Sequence, residues 1–127
     1  MGKTKVLLAD GSTFTRILLS NALETLGFEV VAIAKNGVEA LEMFTRCCPD
    51  ICLIDLNLDG IGGIELVRAL TKDNPAAAIA LLMPENIDDP DLIVEAVRAG
   101  AKAYIKKPTS GEDLKKRLYK LVGKKVE

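Results

Sequence analysis

The sequence predicts an α/β fold, a doubly wound parallel sheet of five strands with helices on both faces, in one domain of 127 residues. Two observations carry that expectation. Short apolar runs alternate five times with longer stretches whose apolar residues recur at helical spacing. Alternation of this kind builds a parallel sheet through right-handed crossovers. Three of the runs also stop on an ionisable residue, Asp10, Asp55 and Lys107, and open α/β sheets bind their ligands outside the carboxyl ends of the strands. A chain of this length supports one core and not two.

Val6 to Ala9 reads as a buried strand that ends on Asp10. Gly11-Ser12-Thr13 turns the chain, and Ser12 or Thr13 caps the first helix. From Phe14 the apolar residues Ile17, Leu18, Ala22, Leu23 and Leu26 fall at helical spacing until Gly27 stops the helix. Phe28 to Ala34 is the second strand. Asn36-Gly37 opens a helix with Val38, Leu41, Met43 and Phe44 on or near one face, ended by Pro49. The third strand, Asp50 to Asp55, is apolar on both of its alternating faces until the closing carboxylate, and a glycine-rich loop from Leu56 to Gly63 follows. Gly63 to Lys72 is a short helix carrying Ile64, Val67 and Leu70, closed by Asn74-Pro75. Ala78 to Met83 is a fourth buried strand, stopped by Pro84.

Asp89-Pro90 has the cap and the first-turn proline in the right order, and Leu92, Ile93, Ala96 and Val97 carry that helix to Gly100. Ala103 to Lys106 is the fifth strand, followed by Lys107-Pro108. Ser110 caps a last helix with Glu112 and Asp113 in its first turn and lysines later, matching the helix dipole, with Leu114, Leu118, Leu121 and Val122 as its apolar face.

An apolar fraction of 49% and a charged fraction of 28% describe a globular protein rather than a disordered one. A net charge of −1 gives no ground for direct binding to nucleic acid or a membrane surface, and the lysines after Lys115 read as a solvated helix face. Cys47, Cys48 and Cys52 are odd in number, two of them adjacent, and there is no histidine. Neither a disulfide framework nor a zinc site has that spacing, so a reducing, cytoplasmic location is expected. The first residues lack a signal-peptide shape, and no stretch reaches membrane-spanning length, so no membrane insertion is expected.

If the first and third strands are neighbours where the strand order reverses, Asp10 and Asp55 face one crevice. Two close carboxylates repel unless a cation separates them. Ligation by oxygen alone favours Mg²⁺ over zinc, and Lys107 on the same edge brings a positive charge suited to a phosphate oxygen. The set points to Mg²⁺ and a phosphoryl group, with one carboxylate as acceptor, and Asp55 is the residue expected to do chemistry.

Several short motifs occur in order: Leu8-Ala9-Asp10, Asn36-Gly37-Val38-Glu39-Ala40-Leu41, Pro49-Asp50 through Asp55, Gly63, Ala99-Gly100-Ala101 and Tyr104-Ile105-Lys106-Lys107-Pro108. With them the chain resembles, from about Lys5 to Val122, the receiver domain of two-component response regulators, the CheY-like fold. The resemblance implies the flavodoxin/CheY-like (βα)5 architecture with strand order 2-1-3-4-5. It implies that Asp55 accepts a phosphoryl group from the phosphohistidine of a sensor histidine kinase or phosphotransfer protein. Asp10 and Asp55 would hold Mg²⁺ with the backbone carbonyl of Asn57, and Lys107 would pair with a phosphoryl oxygen on a peptide bond to Pro108 that is often cis in the family. Tyr104 would be the aromatic switch, turning inward on phosphorylation and signalling to a downstream protein target. Such a protein is no enzyme beyond its own phosphorylation and dephosphorylation.

Two positions depart from the family pattern. Most receivers carry a pair of acids after the first strand, and here the first is Ala9, so weaker Mg²⁺ binding is expected, with Asp59 in the next loop as a compensating acid. After the fourth strand the family places a Ser or Thr whose hydroxyl reports phosphorylation. Met83 holds that place by its distance from Asp55, and Pro84 or Glu85 by counting back from Gly100; none has a hydroxyl. A working receiver with an altered switch and a pseudo-receiver that binds protein independently of phosphorylation both remain open. A nucleotide-binding reading is set aside, because no strand leads into a phosphate-cradling glycine loop.

Overall fold

The computed structural model describes residues 2–107 and 111–123. Strands β1 (Lys5–Ala9), β2 (Glu29–Ala34), β3 (Ile51–Asp55), β4 (Ala78–Met83) and β5 (Ala103–Lys106) alternate with helices α1 (Thr13–Thr25), α2 (Gly37–Cys47), α3 (Gly63–Asp73), α4 (Pro90–Ala99) and α5 (Gly111–Leu121). All strand pairs are parallel and the order across the sheet is β2-β1-β3-β4-β5, as expected. The order reverses between β1 and β3, where Ala9 stands level with Ile54. The next residue on each strand, Asp10 and Asp55, therefore emerges side by side at the carboxyl edge.

The period of two along each strand divides the core into two layers. Leu7, Ile54, Leu81 and Met83 turn toward a layer that contains Phe44 of α2, Val67 and Leu70 of α3 and Ala96 of α4. Leu8, Leu53, Leu82 and Ile105 turn toward the other, with Leu19 and Leu23 of α1 and Leu114 and Leu118 of α5. β3 and β4 lie between the layers and are buried at every residue, which is why their sequences are continuous apolar runs.

The helix starts follow their caps. The hydroxyl of Ser12 accepts from the Thr15 N–H at 3.2 Å, Asn36 Oδ1 accepts from the Glu39 N–H at 2.9 Å, and Asp89 Oδ1 accepts from the Asp91 N–H at 3.0 Å with Pro90 in the first turn. The expected Ser110 cap and the Lys107–Pro108 bond lie outside the described residues.

Three apolar faces differ from expectation. α1 buries Leu19 and Leu23, while Phe14, Ile17 and Leu18 face outward; Val38 of α2 and Val97 of α4 are exposed as well. Helical spacing admits more than one stripe, and the sheet covers only the one it packs against. Phe28 precedes β2 rather than opening it: its N–H donates to the Leu23 carbonyl at 3.0 Å, and its buried ring meets Tyr119 edge-on at 5.3 Å. Among the described residues no helix is long and apolar enough to cross a membrane.

Candidate functional site

The residues before Asp10, Asp55 and Lys107 with the same strand parity are Leu8, Leu53 and Ile105, all of the layer under α1 and α5. Alternation therefore directs the three ionisable side chains to the same side of the sheet edge. Asp10 is 0% exposed and Asp55 6%, and among the described residues only Thr4 joins them as a buried polar or charged residue. Lys107 Nζ lies 3.0 Å from Asp10 Oδ2 and 3.3 Å from Asp55 Oδ1. The ammonium is thus the cation between two buried carboxylates that would otherwise repel. Its backbone is fixed by the Lys107 N–H, which donates to the Met83 carbonyl at 2.9 Å just beyond the last β4–β5 pair.

The two carboxylates are held differently. Asp10 Oδ1 accepts from the Ser12 N–H at 2.9 Å, and the Asp10 carbonyl accepts from Arg16 Nη1 at 2.8 Å, while Arg16 Nη2 donates to Thr13 Oγ1 at 3.0 Å. Asp55 Oδ1 has the Lys107 ammonium within ion-pair range but off hydrogen-bond alignment, so this buried oxygen has no hydrogen-bond partner among the described residues. Burial pushes the Asp55 carboxyl above its ordinary range, and the Asp10 charge adds to the effect; Lys107 and the Asn57 N–H offset it only in part.

The glycine-rich loop after Asp55 is shaped by crowding. A Cβ on Gly63 would collide with the Asp55 carbonyl oxygen and lie 2.7 Å from Leu56 Cα, and the Gly63 N–H donates to the Leu56 carbonyl at 3.1 Å. α3 thus starts directly against the backbone of the candidate acceptor.

These groups fit a hard divalent cation. A Cβ on Gly11 would stand 3.9 Å from the Asn57 carbonyl oxygen, so that oxygen lies near the turn that carries Asp10. With the unsatisfied Asp55 Oδ1 and the Asp10 carboxylate it makes a donor set of oxygens alone. No third carboxylate, cysteine or histidine joins the set among the described residues. Ala9 is buried in the core, and Asp59 is exposed.

The three positions that compete for the missing hydroxyl separate in space. Met83 is 1% exposed and packs in the α2–α3–α4 layer with Leu81. Pro84 and Glu85 line a cavity of about 460 Å³ with Phe14, Lys107 and Leu114, between α1 and α5. Tyr104 stands level with Leu81, so its side chain leaves the sheet on Met83's side; it is 40% exposed, beside Ile93 and Val97 of α4. Sequence reasoning singled out Asp10, Asp55 and Lys107, which meet, and missed Arg16. Its only sequence signal is a long cationic side chain in the first turns of the helix that follows Asp10.

A doubly wound sheet with two carboxylates and a lysine at its β1/β3 switch point defines a class, the signal receivers of two-component systems. Residues 6–119 match the family described as response regulator receiver domain. The chemotaxis protein CheY of Thermotoga maritima is 34% identical over 108 residues, which cover 85% of this chain and 88% of that protein. CheY of Pseudomonas aeruginosa is 33% identical over 117 residues, 92% of this chain and 94% of that one. Among solved structures, the chemotaxis protein CheY4 of Vibrio cholerae superposes with a TM-score of 0.87 at 29% identity, covering 94% of this chain and 99% of that one. A response regulator receiver domain protein from Clostridium thermocellum gives 0.86 at 26% identity, covering 94% of both chains. The chain belongs to the response regulator receiver domain family.

Proposed function

We propose that this receiver is a phosphoacceptor: Asp55 takes a phosphoryl group from a phosphohistidine on a sensor histidine kinase or phosphotransfer protein. The observation that carries the reading is the Lys107 ammonium held 3.0 Å from Asp10 and 3.3 Å from Asp55 at a buried sheet edge. An Asp55 carboxylate oxygen attacks phosphorus in line, the P–N bond breaks, and the imidazole nitrogen keeps the electron pair and takes up a proton. The product is an acyl phosphate on Asp55. Lys107 would exchange its carboxylate contacts for a phosphoryl oxygen. Asp10, Asp55 and the Asn57 carbonyl would hold Mg²⁺, which supplies charge neutralisation for the phosphoryl oxygens when bound. Ala9 in place of an acid supports weaker metal binding than in receivers with the acid pair.

Output then runs through the face that carries Tyr104, toward a downstream protein target. Met83 is buried in the core on that face, and no hydroxyl at Met83, Pro84 or Glu85 links Tyr104 to the acceptor. The missing hydroxyl favours a second reading, a pseudo-receiver that presents one constant face to its partner. We place the protein in the reducing cytoplasm, in keeping with its three free thiols, with no catalytic activity beyond its own phosphorylation and dephosphorylation.

Intact mass after incubation with Mg²⁺ and a small phosphodonor tests the reading, with Asp55→Asn alongside. A phosphate adduct on the wild type alone is expected. An equal adduct on Asp55→Asn overturns the acceptor assignment. No adduct from a small donor or a phosphorylated kinase, with no response to millimolar Mg²⁺, leaves the constant-face reading.

A further inference from the structure

Resting on the phosphoacceptor reading, we propose that Arg16 is a positioning residue of this site, acting through Asp10. Its guanidinium bridges two points of the turn after β1, with Nη1 on the Asp10 carbonyl at 2.8 Å and Nη2 on Thr13 Oγ1 at 3.0 Å. The Arg16 N–H also donates to the Ser12 carbonyl at 2.9 Å, so its backbone belongs to the first turn of α1 while its side chain reaches back to the end of β1. The turn is thereby clamped between a strand and a helix that are both fixed by packing.

The clamp matters because the turn carries the geometry of the candidate metal ligands. The Asp10 carbonyl belongs to the Asp10–Gly11 peptide unit, and holding it restrains the turn in which the Ser12 N–H donates to Asp10 Oδ1 at 2.9 Å and Gly11 lies near the Asn57 carbonyl. Three donors converge on Asp10: Ser12, Arg16 and Lys107. The Ser12 N–H holds the Asp10 carboxylate and Arg16 holds the Asp10 carbonyl, so together they would keep this ligand aimed at a bound Mg²⁺. In a site that lacks an acid at Ala9, the remaining ligands have more of the binding to do, and their orientation counts for more.

An opposing effect gives the proposal a sign. The guanidinium is a positive charge beside the Asp10 backbone, and by charge alone its removal would tighten binding of a divalent cation. Positioning predicts the reverse. Groups that orient metal ligands typically change affinity by about 10–100-fold when removed, so Arg16→Met is expected to weaken Mg²⁺ binding by at least about tenfold on that scale. Arg16→Lys keeps one donor and the charge but loses the two-point fork, and should recover part of the loss. Thr13→Val removes only the second anchor and should weaken binding less, in the same direction.

The experiment is an Mg²⁺ titration of each variant followed by the backbone amide resonances of Gly11 and Asn57, with thermal midpoints recorded on the same samples. Weaker binding by Arg16→Met, partial recovery by Arg16→Lys and unchanged midpoints support the assignment. Unchanged or tighter binding by Arg16→Met overturns it. Where Arg16→Met does not fold, Thr13→Val decides, and wild-type affinity in that variant overturns the proposal. A wild-type chain whose Gly11 and Asn57 resonances ignore Mg²⁺ overturns the metal reading itself and the Arg16 assignment with it.

Discussion

Gly62 and Gly63 are neighbours at the start of α3, and a side chain at each should move stability in opposite directions. At Gly63 a Cβ would collide with the Asp55 carbonyl oxygen and stand 2.7 Å from Leu56 Cα and 2.8 Å from Leu56 O. All three are backbone atoms that cannot rotate away, and ordinary carbon contacts lie at about 3.5–4.0 Å. Gly63→Ala therefore requires a shift approaching 1 Å, by that comparison, in the start of α3 or the end of β3. Overpacking of this kind costs about 1–3 kcal/mol, against at most about 1 kcal/mol gained from the better helix propensity of Ala. A net loss of about 1–2 kcal/mol is expected, a fall in Tm of roughly 4–10 °C for a chain of this size. At Gly62 nothing lies within 4 Å of a Cβ, its φ of −66° suits any residue, and the helix has no side-chain cap there. Gly62→Ser supplies the cap and restricts the unfolded chain, for a gain of about 0.5–1 kcal/mol. Urea denaturation of both variants checks the pair. A Gly63→Ala protein as stable as wild type, with an unchanged m-value, would refute the reasoning, because it would mean that β3 and α3 are not in rigid contact.

Three further outcomes are expected. Burial holds the Asp55 carboxyl above its ordinary pKa of 3.8, so the folded chain binds this proton more tightly than the unfolded one and ionised Asp55 weakens the fold. Asp55→Asn should therefore melt above wild type at neutral pH, with the gap closing as pH falls through the raised pKa toward 3.8; a gap that widens on acidification contradicts this. Burial also pushes the Cys52 thiol up to about 12, so at pH 8 a thiol reagent should modify exposed Cys48 first and Cys52 only after unfolding; mass mapping that finds Cys52 labelled in the native protein refutes it. Met83→Thr should cost about 1–3 kcal/mol by burying a hydroxyl and leaving space in the core, yet it should let the Tyr104 ring respond to a phosphodonor. Ring NMR signals that respond no more than in wild type would sink the coupling.

The fold was legible because its signals are local. β3 and β4 are apolar at every position since both faces are covered, and Asn36, Asp89 and Pro90 mark helix starts through bonds that span no more than three residues. Which stripe of α1 is buried was not legible: Ile17, Leu18, Leu19 and Leu23 all suit a helix, and only the position of the sheet selects Leu19 and Leu23. The site divides in the same way. Asp10, Asp55 and Lys107 could be placed on one edge because strand ends in a parallel sheet share an edge. The bridging of both carboxylates by Lys107 depends on a contact across 97 residues, and the crowding behind Gly63 depends on where α3 sits. Lys107 and Gly63 are visible in the sequence, but the contacts that call for a lysine and a glycine there are not.

Ala9 shows how the structure changes the meaning of a feature that the sequence does display. Read from the chain alone, the residue is a missing acid next to a present one. In the fold, strand parity separates the two. Asp10 belongs with Leu8 and turns toward Lys107, whereas Ala9 belongs with Leu7 and is 0% exposed in the layer that also holds Ala34, Ile54 and Leu58. A carboxylate at position 9 would have to leave that layer to reach a cation, or carry its charge into an apolar environment at a cost that only a bound ion could offset. Ala9 therefore lowers the negative charge available to a metal and keeps this end of the layer apolar. The Mg²⁺ titration proposed for Arg16 measures whether the remaining oxygens bind the ion.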